Sequence, residues 1–256
     1  MGSVFLVGIG PGNISNMTSH AVAVISLCNV ICGYDKYVAM LGDMVSKKQV
    51  VTTGMRGEKE RCHEALKLAS EGHRVALVCS GDAGIYGMAG LVYEMMSGYG
   101  QQDDAGGHTG KYAGITVEVV PGVTAATSGA ALLGAPLMND FAVISLSDQL
   151  TPWERIEQRL SAVASADMVM VLYNPMSHHR PDTLKMACDI VLKSRRPDTV
   201  CGWVRNIGRD GQEAHITTLD KLRDEKLDML CTVFIGASDT RLIDGRMVTV
   251  RGYDLG

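Results

Sequence analysis

The run Ser80-Gly81-Asp82-Ala83-Gly84-Ile85-Tyr86-Gly87-Met88-Ala89 sets small residues, one carboxylate and one tyrosine between two apolar segments. His73–Cys79 before it reads as a buried strand, and Ile85–Met96 reads as a helix. Glycine lets backbone come close to a ligand because no side chain intervenes. A turn of this kind at the carboxyl end of a strand is where open α/β sheets bind small molecules. Five further strand ends carry comparable signals. They are Gly8-Ile9-Gly10-Pro11-Gly12, Pro121-Gly122-Val123-Thr124-Ala125, Tyr173-Asn174-Pro175, Val204-Arg205-Asn206-Ile207-Gly208 and Ile235-Gly236-Ala237-Ser238-Asp239. Six such loops predict one shared small-molecule cleft.

Taken alone, the first loop invites a dinucleotide reading, with Asp35 after the second strand as a ribose partner. That fingerprint needs a glycine where this chain has Asn13, and a helix that starts at once. No Gly-Lys-Ser/Thr follows, so a phosphate loop is excluded. Thr124 suits a helix N-cap as well as a ligand contact. Asp82 can serve its own loop by accepting backbone N–H bonds.

The elements that must position these loops alternate. Strand-like Val4–Ile9, Asn29–Cys32, Gln49–Thr52 and His73–Cys79 are interleaved with helical Thr18–Cys28, Gly57–Glu71 and Ile85–Met96. Alternation of this kind predicts a largely parallel sheet. The glycine-rich stretch 97–114 is the expected domain boundary, giving domains 1–112 and 113–256. In the second, strands at 115–120, 141–146, 168–173 and 199–204 alternate with helices at 124–133, 152–164 and 181–193. Strand-like 214–218, 229–236 and 246–250 follow with short links, which predicts some antiparallel pairing.

Net charge is −4 over 256 residues, with no long basic run, which argues against nucleic acid. No apolar stretch has the roughly 20 residues that span a bilayer. The segment 1–12 has no basic n-region, so no signal peptide is expected. Seven scattered cysteines read as reduced, buried thiols of a cytoplasmic protein. No spacing suggests a metal site; His178-His179 has no third ligand to join it.

The first loop, Gly81-Asp82, Pro121-Gly122-Val123-Thr124-Ala125 and Tyr173-Asn174-Pro175, in this order, resemble the tetrapyrrole (corrin/porphyrin) methylases, class III S-adenosylmethionine-dependent methyltransferases. Gly33-Tyr34-Asp35-Lys36-Tyr37, Gly54-Met55-Arg56, Gly134-Ala135-Pro136-Leu137, Asp140–Asp148 and Thr151-Pro152-Trp153 are similar to the branch that methylates C17 of precorrin-3B or cobalt-factor III. The resemblance implies an α/β, two-lobed fold, each lobe a sheet flanked by helices, with the active site in the trough between lobes. It also implies a homodimer, a tetrapyrrole substrate, methylation coupled to ring contraction in cobalamin biosynthesis, and S-adenosylhomocysteine as product.

Carried over by motif, the donor meets Pro11, Gly81, Asp82, Ile85, Thr124, Ala125, Asn174 and Ile207, with Tyr86, Leu146 and the Ile235-Gly236 turn as further contacts. Ring contraction calls for a base to take a hydroxyl proton. Asp35 and Asp148 are candidates beside Glu58, Asp140, His178 and His179. Arginine pairs bidentately with carboxylates, which such a substrate carries in number. Arg56, in a Gly-Met-Arg-Gly turn, is therefore expected to bind them, with Lys36, Arg61 and Arg180 behind it.

Overall fold

The computed structural model describes residues 2–97, 112 and 114–254, in two compact units that divide between Thr124 and Ala125. Most of the expected linker, 97–114, lies outside the described residues. The expected boundary at 112/113 also needs correction. Thr116–Val120 does not open the second domain; it pairs along its length with the first strand of the chain.

Unit 1 holds one five-stranded parallel sheet. Its strands are β1 (Ser3–Gly8), β2 (Val30–Tyr34), β3 (Gln49–Thr53), β4 (Arg74–Cys79) and β5 (Thr116–Val120), in the order β3-β2-β4-β1-β5. The helices are α1 (Ser19–Leu27), α2 (Asp35–Ala39), α3 (Glu58–Ser70) and α4 (Ala89–Ser97). Strand residues alternate between two cores. Val4, Leu6, Val75 and Leu77 pack against α3 and α4, whereas Val7, Ile31, Ala76 and Val78 pack against α1 and α2. Burial on both faces is why these strands read as continuous apolar runs. From β1 the chain leaves over one face, through α1, and from β4 it leaves over the other, through α4. The connections diverge between these two neighbouring strands, where open α/β sheets form their crevice.

Thr18 caps α1 as its sequence suggests. Its hydroxyl oxygen accepts from the Ala21 amide at 3.1 Å and donates to the Pro121 carbonyl at 3.2 Å. Helix α4 starts four residues later than hydrophobic spacing predicts. Tyr86 adopts φ +53°, a left-handed backbone incompatible with a helix, and the Ala89 amide reaches back to the Ala83 carbonyl at 3.1 Å.

Unit 2 holds α5 (Ala125–Leu133), β6 (Gly134–Ala135), β7 (Phe141–Ser145), α6 (Trp153–Ser165), β8 (Val169–Tyr173), α7 (Thr183–Val191), β9 (Val200–Arg205), β10 (Glu213–Thr218), α8 (Leu219–Leu222), β11 (Cys231–Ile235), β12 (Thr240–Ile243) and β13 (Arg246–Thr249). The main sheet runs β10-β9-β11-β8-β7, with only β7 and β8 parallel among its neighbours; β12, β13 and β6 form a small second sheet. Helices α6, α7 and α8 cover one face around Leu160, Leu172, Leu184 and Val233. Helix α5 and Met247 of β13 cover the other around Val171, Val204 and Phe234.

Candidate active site

Because every strand of unit 1 is parallel, their carboxyl ends share one edge. There Gly10 and Gly81 exchange backbone hydrogen bonds, at 3.1 and 2.8 Å, and join the loops after β1 and β4. The loop after β5 presses onto both. A Cβ at Gly122 would stand 2.1 Å from the Gly81 carbonyl oxygen and 2.6 Å from Gly8 backbone, so only glycine fits. Asp82 completes the joint: one carboxylate oxygen accepts from the Gly84 amide at 2.7 Å, the other from the Gly122 amide at 2.9 Å. The three loops thus form a continuous backbone floor, from which Ile85 and Tyr86 stand 39% and 56% exposed. A left-handed tyrosine at this place is the kind of backbone outlier that marks ligand sites.

Two more strand ends share this edge. Asp35 and Lys36 are exposed in the first turn of α2, after β2. After β3, Arg56 is exposed with φ +67°. None of the three makes a side-chain hydrogen bond or ion pair among the described residues.

In unit 2, β7, β8 and β9 point the same way, so the loops carrying Leu146, Asn174 and Ile207 share an edge. Asn174 (φ +53°) donates from Nδ2 to the Ser145 Oγ at 3.0 Å, and the same oxygen accepts from the Ser147 amide at 3.2 Å. Tyr173 Oη accepts from the Ala126 amide at 2.8 Å, tying the start of α5 to the end of β8. Asn206 has φ +51° and donates to the Gly211 carbonyl.

The sequence signature of the tetrapyrrole (corrin/porphyrin) methylases matches residues 3–223. The chain belongs to that family. It is 44% identical to the "Probable cobalt-factor III C(17)-methyltransferase" of Salmonella typhimurium, covering 98% of this chain and 99% of that protein. It is 43% identical to the "Cobalt-factor III methyltransferase" of Priestia megaterium, but spans only 45% of that relative's length. Identity to a "Precorrin-3B C(17)-methyltransferase" from Sinorhizobium sp is 34%, covering 95% and 92%. The crystal structure titled "methyltransferase CobJ" superposes with a TM-score of 0.87 at 32% identity, covering 98% of this chain and 100% of that one.

Within this tetrapyrrole methylase, the expected site residues fall out unevenly. Pro11, Gly81, Asp82, Ile85, Tyr86 and Thr124 lie in the loops at the carboxyl edge of the first sheet. Asn174 lies at the edge of unit 2 shared by the ends of β7, β8 and β9, with Ala125 held there through the neighbouring Ala126 amide. Ile207 is there too, largely buried. Leu146 has 0% exposure and sits in the core under α6 and α7, with its amide bonded to Tyr173 O and its carbonyl to Arg180. The Ile235-Gly236 turn belongs elsewhere. Strand β11 is antiparallel to β8 and β9, so its carboxyl end emerges at the opposite edge, and a single cleft for all six loops does not hold.

Two arginines also need correction. Arg180 donates from Nη1 to the Leu146 carbonyl at 2.8 Å and stands 3.6 Å from Asp148, so it ties the segment after β8 to the loop after β7. Arg61 is buried and spends its donors on neighbouring elements. His178 and His179 stand edge-on to each other, both exposed. Glu58 lies in the first turn of α3 and Asp140 just before β7. Ser145 and the Tyr173 hydroxyl were not foreseen. Their partners lie 29 and 47 residues away, a separation no local pattern reports.

All seven cysteines are free and buried, and burial pushes their thiols up, Cys28 and Cys79 to about 11 and Cys32, Cys62 and Cys188 to about 12. They are inert packing residues rather than nucleophiles. No helix among the described residues is long and apolar enough to cross a membrane.

Proposed function

We propose that this chain methylates C17 of cobalt-factor III, with contraction of the macrocycle to cobalt-precorrin-4, in cobalamin biosynthesis. The observation that carries this is 44% identity over nearly the whole of both chains to a relative bearing that name, against 34% for a relative named for the metal-free substrate. S-Adenosylmethionine, when bound, supplies an electrophilic methyl group and departs as S-adenosylhomocysteine.

The residues present fit that donor. Backbone closed over by Gly8, Gly81 and Gly122 leaves no side chain in the way, while Ile85 and Tyr86 offer exposed apolar surface. We assign donor binding in unit 1 to Pro11, Gly81, Ile85, Tyr86 and Thr124, with Asp82 holding the floor together. In unit 2 the assignment is to Ala125, Asn174 and Ile207, with Leu146 contributing only through its backbone. Displacement at a sulfonium methyl needs alignment above all, so fixed loops contribute chiefly by positioning. Ser145 holds the Asn174 amide in one orientation, which is positioning of this kind.

Arg56 is assigned to a substrate carboxylate, because its guanidinium is exposed and unpaired among the described residues. Asp148 is engaged by Arg180. Asp35 has no cation partner among the described residues, so it takes the role of base for the hydroxyl proton released as the ring contracts. A homodimer in the cytoplasm belongs to the same proposal.

Titration calorimetry with S-adenosylhomocysteine, with NAD as control, tests the donor site. Micromolar binding of the first and none of the second is expected. NAD binding alone would overturn the reading, although α1 starts only at Ser19, where Thr18 already occupies the Ala21 amide. Anaerobic turnover of cobalt-factor III beside precorrin-3B then tests the acceptor. A clear preference for precorrin-3B would reassign the substrate.

A further inference from the structure

Arg61 lies in the first turns of α3 with 4% exposure. It is a buried cation with no carboxylate partner among the described residues. Its Nε donates to the Thr53 Oγ1 at 2.9 Å, its Nη2 to the Gly54 carbonyl at 3.1 Å, and its Nη1 lies 3.5 Å from the Met88 sulfur. The guanidinium also sits 5.9 Å from the centre of the Tyr34 ring. One side chain therefore touches the ends of β2 and β3 and the segment after β4.

Between its two bonded partners and its own helix lies the turn 54–57. The Gly57 amide closes that turn onto the Gly54 carbonyl at 3.3 Å. Inside it Arg56 takes φ +67°. A left-handed conformation is unfavourable for a side chain as bulky as arginine and persists only where the surroundings impose it. Arg61 supplies that imposition from below, while Arg56 stands exposed above with no partner of its own.

We propose that Arg61 is a positioning residue for Arg56. It clamps the Thr53–Gly57 turn so that the Arg56 guanidinium is held ready for a carboxylate of the acceptor. A cation on the turn and a second one clamping it, neither paired with an acid among the described residues, suit an acceptor that brings its own negative charge. The proposal rests on the polycarboxylate tetrapyrrole reading above for its ligand, but not for the clamp itself.

Two readouts separate these parts. Limited trypsin digestion at the Arg56–Gly57 bond reports the clamp without any ligand. Calorimetric binding of uroporphyrin III, a stable polycarboxylate tetrapyrrole, reports the carboxylate site, with S-adenosylhomocysteine as a control. The full chain is compared with Arg61→Met, Arg61→Lys, Thr53→Val, Arg56→Ala and the double variant Arg56→Ala/Arg61→Met. Thr53→Val removes one clamp bond without touching α3.

Faster cleavage is expected in Arg61→Met and Thr53→Val. Porphyrin binding should fall roughly tenfold in Arg61→Met and in Arg56→Ala, the size of one charge-assisted hydrogen bond. The double variant should be no worse than Arg56→Ala alone. Arg61→Lys should recover part of the loss, and S-adenosylhomocysteine affinity should hold throughout. Unchanged cleavage, or losses that add in the double variant, would overturn the positioning role. Faster cleavage in a protein whose wild type binds no porphyrin would leave the clamp standing and overturn the acceptor reading.

Discussion

Replacing Asp82 with alanine separates two roles that its carboxylate could play. Both oxygens are occupied by backbone amides, Gly84 within the same loop and Gly122 in the loop after β5. Hydrogen bonds to a charged group contribute about 1.5–3 kcal/mol each, and the low end suits a half-buried carboxylate. Asp82→Ala should therefore cost about 3 kcal/mol. For a chain of this size that lowers the melting temperature by roughly 6–12 °C. Asp82→Asn keeps one acceptor and turns an NH2 toward the other amide, so it should recover no more than half. Urea denaturation at fixed chain concentration measures the midpoint, and calorimetry with S-adenosylhomocysteine measures the donor site on the same samples. Stability and affinity should fall together, because the loops that move are those that would hold the donor. If Asp82→Ala lost donor binding while its denaturation midpoint stayed put, the carboxylate would be a direct ligand contact and the loop-joining argument would fail.

Arg195 is 8% exposed and reaches the carbonyls of Ala164, Met168 and Gly236 as well as the Asp167 carboxylate. Asp167 is half exposed, so the ion pair itself contributes little. The cost of Arg195→Met lies in the buried backbone carbonyls left without a donor, at about 1–3 kcal/mol each, so it should lower the urea midpoint strongly while leaving donor affinity per folded molecule unchanged. Burial works against the charged form of Asp167, but bonds from the Ser238 hydroxyl and amide and from Arg195 outweigh it and hold the carboxyl below its ordinary value. The charged form is thus favoured on folding. The stability it contributes is present above the unfolded value near ~4 and is lost as pH falls toward the folded one; Asp167→Asn should flatten that acid limb in denaturation curves taken from pH 7 downward. Ellman's reagent at neutral pH should find no fast-reacting thiol in the native chain and seven after unfolding in urea.

What could be read from the sequence follows from what hydrophobic pattern encodes. The inner strands β1, β2 and β4 are largely buried, so each stands out as an apolar run, and Thr18 and Gly57 mark helix starts within a residue of where they occur. The pattern carries no φ angle, so the left-handed Tyr86 was invisible and α4 was begun too early. It carries no strand direction either. Ile235-Gly236 has the same local signature as Tyr173-Asn174, yet antiparallel pairing sends it to the far edge. The loops bearing Gly81, Asp82, Thr124 and Asn174 were legible because tight turns demand particular residue types. Burial of Arg61 was not, since α3 shows an ordinary alternation of charges and its partners Thr53 and Met88 lie 8 and 27 residues away.

Mutual exclusion at Gly8 and Gly122 has a consequence for how such a chain can change. A Cβ at Gly8 would meet Gly122 N and the Gly81 carbonyl at 2.7 Å, and a Cβ at Gly122 would meet Gly8 and Gly81 more closely still. Neither position has a viable neighbour in sequence space, because the space one side chain would need is filled by the backbone of the other. Substitution there requires a concerted shift of two loops, so a mutational walk that proceeds one residue at a time is barred at both sites. Diversity in this site must accumulate around them, at exposed positions such as Ile85 and Val123.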